Sequence, residues 1–143
     1  MTKKKKIILI IIGAVIATIA VAALLLYLIW NFAWKLVEKY ELNDKTQTYI
    51  EAIIDRDNDR LHTVSYARDV DAEELAELLA EKEIVLRGEV HVDSVYSVNI
   101  NIFNHVTTAK AIFRVTVGSE RYTVTVEYVE DTEGSGIRSI FFK

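Results

Sequence analysis

Between Ile7 and Trp34 the chain runs for 28 residues without a charged side chain, and Thr18 and Asn31 are the only clearly polar members of that run. About 20 apolar residues cross the hydrocarbon core of a bilayer, and a helix of this run reaches roughly 42 Å at about 1.5 Å per residue. Tilt, or a last turn or two standing in the headgroup layer, absorbs the excess. Residues 7–34 are therefore expected to form a transmembrane helix.

Charge on the two sides of the run sets its direction. Lys3, Lys4, Lys5 and Lys6 precede it, whereas the chain beyond Leu36 carries 12 Lys/Arg against 21 Asp/Glu, a net charge of −9. Short lysine-rich flanks stay in the cytoplasm, and acidic residues contribute little to that choice. Residues 1–6 are expected to be a cytoplasmic basic tail, with the remainder of the chain outside the cell membrane. Trp30 and Trp34, with Tyr27 a turn deeper, suit the outer water–lipid interface, where a ring with one polar atom sits well. The expected membrane-interface residues are thus Lys3, Lys4, Lys5, Lys6, Trp30 and Trp34, and the first expected partner is the lipid bilayer.

The same N-terminus holds the parts of a signal peptide, including the small-x-small tripeptide Ala20-Val21-Ala22. The apolar run continues past that site through Trp30, and it exceeds the 7–15 residues of a signal h-region about twofold. The favoured reading is an uncleaved, single-pass signal-anchor. A nucleic-acid role for the lysines is set aside because they abut the span and the acidic remainder repels polyanions. With no cysteine in the chain, disulfides, thiolate metal sites, a cysteine nucleophile and a lipidated cysteine are excluded. The outer part must be held by core packing alone, which its length permits.

Residues 35–43 are expected to prolong the first helix or to form a juxtamembrane stalk, with an interruption at Asn43-Asp44. Asp44 is the expected N-cap of a helix whose apolar stripe is Tyr49, Ile50, Ile53 and Ile54, ending near Asp55–Asp59. A short helix or turn follows over Arg60–Tyr66. A third helix, capped by Asp69 or Asp71 with Glu73 and Glu74 in its first turn, is expected to bury Leu75, Leu78 and Leu79. From Ile84 the period becomes two residues. The pattern predicts strands over Ile84–Val92 (interrupted at Gly88), Tyr96–Ile102, Ala109–Val117, Tyr122–Tyr128 and Ile137–Phe142. Asn104-His105 reads as a turn or as an irregular point in a long strand, Gly118-Ser119-Glu120 as a tight hairpin, and Asp131–Gly136 as a second turn. Helices followed by four or five antiparallel strands indicate an α+β domain over residues 44–143, with the helices packed on one sheet face.

The segment Tyr49-Ile50-Glu51-Ala52-Ile53-Ile54-Asp55-Arg56-Asp57, then a short helix bearing Leu61, then a curved antiparallel sheet, resembles the nuclear-transport-factor-2-like (cystatin-like) superfamily. More narrowly, it resembles the small bacterial and archaeal proteins in which one transmembrane anchor carries such an extracytoplasmic domain. The resemblance covers roughly residues 44–143. It implies a cone-shaped fold whose sheet wraps its helices and leaves a pocket or a dimerising sheet face. Among exported members some assemble secretion or conjugation machinery, some bind ligands and a minority are enzymes, and fold does not choose among these.

Chemistry-bearing motifs are sparse. Asp55, Asp57 and Asp59 match the first positions of a calcium loop, but Arg60 stands where glycine is needed and Tyr66 where a bidentate glutamate should close the shell. They read as a solvated helix-ending turn, and no metal site is expected. His62, His91 and His105 lack the spacing of zinc ligands. Glu89, His91 and Asp93 share a strand face that is expected to be an ordinary wet one, although a pocket there would permit proton transfer. Tyr66, Tyr96, Phe103, Phe113, Tyr122 and Tyr128 read first as core packing, and the speculative pocket is placed at Tyr66, His91 and Tyr96. No phosphate-binding glycine loop or catalytic triad order is present, so no cofactor and no catalytic residue is assigned.

Three functions follow as expectations. The first is a non-catalytic, membrane-tethered extracytoplasmic module that binds a protein or small ligand. The second is an assembly component of an envelope secretion or conjugation complex. In that reading the small residues Gly13, Ala14, Ala17 and Ala20 let helices approach, and the partner is a second copy or another envelope protein. The third is a pocket enzyme of isomerase or hydratase type built on Glu89, His91 or Asp93.

Overall fold

A computed structural model describes residues 2–143. Its elements are α1 (Lys3–Lys39), α2 (Leu42–Asp55), α3 (Asn58–Val64), α4 (Ala72–Glu81), β1 (Val90–Phe103), β2 (Val106–Val117), β3 (Glu120–Glu130) and β4 (Ser135–Phe142). The chain divides into two compact units, with the boundary between Lys35 and Leu36.

The first unit is helix alone. Every residue from Thr2 to Trp30 is exposed, and the helix is long and apolar enough to cross a membrane. The Thr18 hydroxyl donates to the Ala14 carbonyl at 2.8 Å, so the most polar side chain of its middle is satisfied within the helix. Lys3, Lys4, Lys5 and Lys6 occupy the first turns, with no acidic residue beside them. Cations at a helix N-terminus oppose the helix dipole, so these lysines do not serve helix stability.

The second unit is the expected α+β arrangement. Its strands form one antiparallel sheet in the order β1-β2-β3-β4, each joined to the next by a hairpin. Helix α2 packs against both β1 and β4, the two edge strands, so the sheet curls around it. One face of the sheet supplies Ala109, Ala111, Phe113, Val115 and Val117 from β2 and Val124, Val126 and Tyr128 from β3, all buried. They meet Tyr49, Ile50, Ala52 and Ile53 of α2 and Leu61 and Val64 of α3, also buried. The alternation seen in β2 and β3 is thus the two-residue period of a sheet covered on one side.

Three bulges curve the sheet. In β1 the register shifts between Val92 and Ser94 and again between Val95 and Ser97, leaving Asp93 and Tyr96 unpaired. In β4 a shift leaves Arg138 unpaired between Ser139 and Ile137. An extra residue on one strand bends it and raises the local twist. At Gly136 the sheet edge meets the loop after α3. A Cβ there would lie 2.5 Å from the Ser65 carbonyl carbon and the Tyr66 nitrogen, and Ser65 forms a parallel bridge to Ile137.

Several expectations need correction. Helix α2 starts at Leu42 rather than after Asp44. Glu41 holds the entry at φ 53 with no side-chain cap, and Asp44 lies in the first turn. The break between α1 and α2 falls at Tyr40-Glu41 instead of Asn43-Asp44. Ile84–Val92 and Tyr96–Ile102 are not two strands. Residues 84–87 are irregular, and β1 runs unbroken from Val90 to Phe103. Gly88 (φ +102) packs its backbone on Gly118, where an added Cβ would come within 2.8 Å, so the chain crosses the β2–β3 turn there instead of pairing. The Leu75-Leu78-Leu79 stripe is only partly covered, and Leu78 stays 48 % exposed. Helix α4 packs on α2, and a helix leaning on one neighbour keeps a flank of its stripe in water. Asp71, one of the two expected caps, does accept from the Glu73 amide at 3.0 Å.

Candidate functional site

With one sheet face filled by helices, the other face is the surface open to partners. Register places Asn99, Lys110, Glu127 and Ser139 in one row across all four strands, and Asn101 and Thr108 in the next. Around these rows lies a depression of about 280 Å³, lined by Asn99, Asn101, Thr108, Lys110, Glu127 and Arg138. Glu127 accepts from the Ser139 hydroxyl at 3.0 Å, which fixes the carboxylate between the two cations' positions on neighbouring strands. The surface offers two cationic groups, one carboxylate and two amides. It suits hydrogen bonding and charge pairing with a polar partner.

A second polar recess, of about 420 Å³, lies at the β4 edge among His62, Thr63, Ser65, Tyr66, Arg68 and Glu133. The Tyr66 hydroxyl donates to the Asp131 carboxylate. Asp131 also accepts from the Glu133 and Gly134 amides at 2.8 and 3.0 Å, closing the β3–β4 turn. The tyrosine hydroxyl above all, then the Glu133 amide, holds the Asp131 carboxyl below the usual carboxylate range. That hydrogen bond pushes the Tyr66 phenol up in turn, with smaller contributions from burial and the nearby charges. His62 contacts the Val70 carbonyl at 2.7 Å and ties the following loop to α3.

The speculative pocket residues stand at different edges of the sheet. Tyr66 is joined to β4, its amide donating to the Ile137 carbonyl at 2.9 Å, while His91 and Tyr96 lie on β1. His91 has a side chain 74 % exposed, with Nε2 3.6 Å from Asp93. Asp93 accepts instead from the Thr116 hydroxyl at 2.6 Å. Tyr96 is the extra residue of the second bulge and is 56 % exposed, with the Arg114 guanidinium 5.8 Å from its ring centroid. Of the six aromatics read as core, Phe113 and Tyr128 are buried, but Tyr96 and Phe103 are turned out by the bulge and by the hairpin tip. Glu89, His91 and Asp93 are all exposed, so they form a wet strip and line no cavity.

Two of the three aspartates of the helix-ending turn have structural tasks. Asp57 caps α3 through the Arg60 amide at 3.1 Å, and Arg60 pairs with Asp55 at 3.5 Å and with Glu51, joining α3 to α2. Trp30 is 55 % exposed on α1, and Trp34 is half-buried. The periodicity of β2 and β3 foretold which of their residues face outward, but only register across four strands identified the Asn99–Lys110–Glu127–Arg138 grouping. These residues are far apart in sequence and carry no shared motif.

Comparison with known proteins finds no protein family that matches the chain and no curated protein that matches it.

Proposed function

We propose that this chain is a membrane-tethered, non-catalytic binding module. Residues 1–6 lie in the cytoplasm, α1 crosses the bilayer, and the unit from Leu36 to Lys143 takes a protein or small polar ligand outside the cell membrane. In this reading that unit is a nuclear-transport-factor-2-like (cystatin-like) domain, supported by the curled antiparallel sheet wrapped on α2.

One observation carries the tether. The large apolar side chains of α1 stand exposed all round the helix, from Ile7 at 56 % to Ile29 at 65 %. At about 1.5–3 kcal/mol per fully exposed aliphatic side chain, keeping that cylinder in water costs tens of kcal/mol. Lipid removes the cost. The four lysines directly before the span support the inward orientation of the N-terminus. N-terminal sequencing of the membrane fraction tests the anchor: an intact start supports it, and a chain beginning at Ala23 shows a cleaved signal instead.

The binding surface in this reading is the uncovered sheet face around Lys110, Glu127 and Arg138. An assembly role is the second reading, favoured by Gly13, Ala14, Ala17 and Ala20 on α1, where a neighbouring helix could approach closely. Crosslinking in native membranes separates the two, because a chain that stays monomeric speaks against assembly. The isomerase or hydratase reading loses the enclosed acid/base group it requires.

A further inference from the structure

The tip of the β1–β2 hairpin carries apolar surface that the fold itself does not use. Ile102 is 68 %, Phe103 79 % and Val106 37 % exposed. Residues 94–109 hold no Asp, Glu, Lys or Arg, the longest uncharged stretch outside α1 in a chain that is 27 % charged. The tip also projects past its neighbours. β3 ends at Glu130, one position beyond Val129, and Glu130 pairs with Thr107. Phe103 to Val106 therefore extend beyond the third strand. Phe103 pairs with Val106, and Asn104 and His105 close the turn at φ 51 and 65. The side chains are thus displayed on a hydrogen-bonded hairpin and not on a loose loop.

This tip lies at the end of the sheet where the chain enters the unit. Tyr40, one residue beyond α1, packs its ring 5.8 Å from that of Tyr128. Tyr128 pairs with Ala109, and Ala109 with Ile100. From that row Phe103 is three residues along β1, about 10 Å at the rise of a strand. Leu36, where the unit begins, follows the interfacial Trp34 by two residues in sequence.

We propose that the hairpin tip is a second membrane contact, with Ile102, Phe103 and Val106 entering the interfacial layer of the same bilayer that α1 spans. This inference rests on the anchor reading above. Three side chains present far less than the roughly 800 Å² per partner of a stable protein interface. A lipid surface needs no such minimum, because the covalent tether keeps the bilayer at high effective concentration. Because residues 94–109 carry no Asp, Glu, Lys or Arg, entry of the hairpin's own tip desolvates no carboxylate, ammonium or guanidinium group, a step that would otherwise oppose it. The result is a domain held at two points and therefore restricted in how it turns above the membrane.

The chain has no cysteine, so single cysteines give clean probes. Phe103→Cys, Asn104→Cys, Ser119→Cys and Val15→Cys, each in the full chain, are labelled with an environment-sensitive fluorophore and reconstituted in phosphatidylcholine vesicles containing spin-labelled lipid. The expected result is loss of most fluorescence at Val15→Cys, Phe103→Cys and Asn104→Cys, with Ser119→Cys at the opposite hairpin left bright. Quenching at Val15→Cys with both tip probes as bright as Ser119→Cys overturns the tip contact and leaves the anchor standing. A blue-shifted but unquenched tip probe reveals a protein partner or second copy at the tip, and overturns the proposal equally. No quenching at Val15→Cys removes the anchor reading, and the bilayer contact built on it.

Discussion

Tyr66 and Asp131 show how a single phenol–carboxylate bond can hold a surface turn. Asp131 is kept below its ordinary range, chiefly by the Tyr66 hydroxyl, so its contribution is present above the unfolded value near 3.9 and is lost as pH falls through the lower folded one. Tyr66 is pushed up, so its contribution is present below about 10 and is lost as pH rises through its folded value. Between those limits the turn's stability should be flat with pH. Tyr66→Phe should move the Asp131 carboxyl upward in an NMR titration and speed hydrogen exchange at the Glu133 and Gly134 amides. An unmoved Asp131 would mean that the backbone amides alone hold it. Thr46 presents the opposite case, fully buried with no hydrogen-bond partner for its hydroxyl among the described residues. Thr46→Val keeps the shape and removes the unsatisfied group, and it should raise stability by about 1 kcal/mol in denaturant unfolding.

Strand β1 is the element in which local pattern and final structure diverge most. Its alternation of Tyr96, Val98, Ile100 and Ile102 with Ser97, Asn99 and Asn101 predicted one dry face, yet Tyr96 and Ile102 are exposed. A bulge turns Tyr96 out, whereas Ile102 keeps the phase of Val98 and Ile100 and is exposed because it lies near the hairpin tip. Periodicity cannot reveal a bulge because the extra residue leaves no signature of its own. The neighbouring turn carries a second cost. Asn104 and His105 both adopt positive φ, a conformation that disfavours a non-glycine residue by roughly 1–2 kcal/mol. Asn-Gly is the preferred pair for such a two-residue turn. His105→Gly should therefore stabilise the hairpin by about 1 kcal/mol, seen as a raised unfolding midpoint. An unchanged or lowered midpoint would show that the His105 side chain compensates. In α4 the helix itself was legible from Asp71, Glu73 and Glu74, but the burial of Leu75, Leu78 and Leu79 was not. A stripe reports that a helix has an apolar side, whereas the amount of cover depends on its neighbours.

At the scale of the whole chain, the two units differ in surface, the first exposing large apolar side chains along its helix and the second enclosing a core. The Leu36–Lys143 unit has a filled core in which Ile50, Ile53, Leu61, Phe113, Val115 and Val124 are all but inaccessible, and it draws on no disulfide. Residues 36–143 expressed alone should remain soluble and unfold in one cooperative transition, read by circular dichroism and denaturant titration. The full chain should require detergent or lipid. Loss of cooperativity on removing residues 1–35 would show that the unit depends on them for more than attachment.

What the amino-acid sequence determined by itself was whatever depends on local composition and period. The uncharged Ile7–Trp34 run dictates an apolar helix because solvent preference is summed residue by residue. The two-residue alternation of β2 and β3, the Gly118 hairpin and the Asp71 cap likewise answer to neighbours a few positions away. Only the tertiary structure decided that residues 84–87 leave the sheet, that α4 keeps Leu78 in water, and that Phe103 projects from the fold. It alone set Tyr66 on the Asp131 turn 65 positions along the chain and gathered Lys110, Glu127 and Arg138 on one open face. Each of these depends on register, on bulges, or on which surface another element reaches first. Those are properties of pairs of segments distant in the chain, and no local window contains both members.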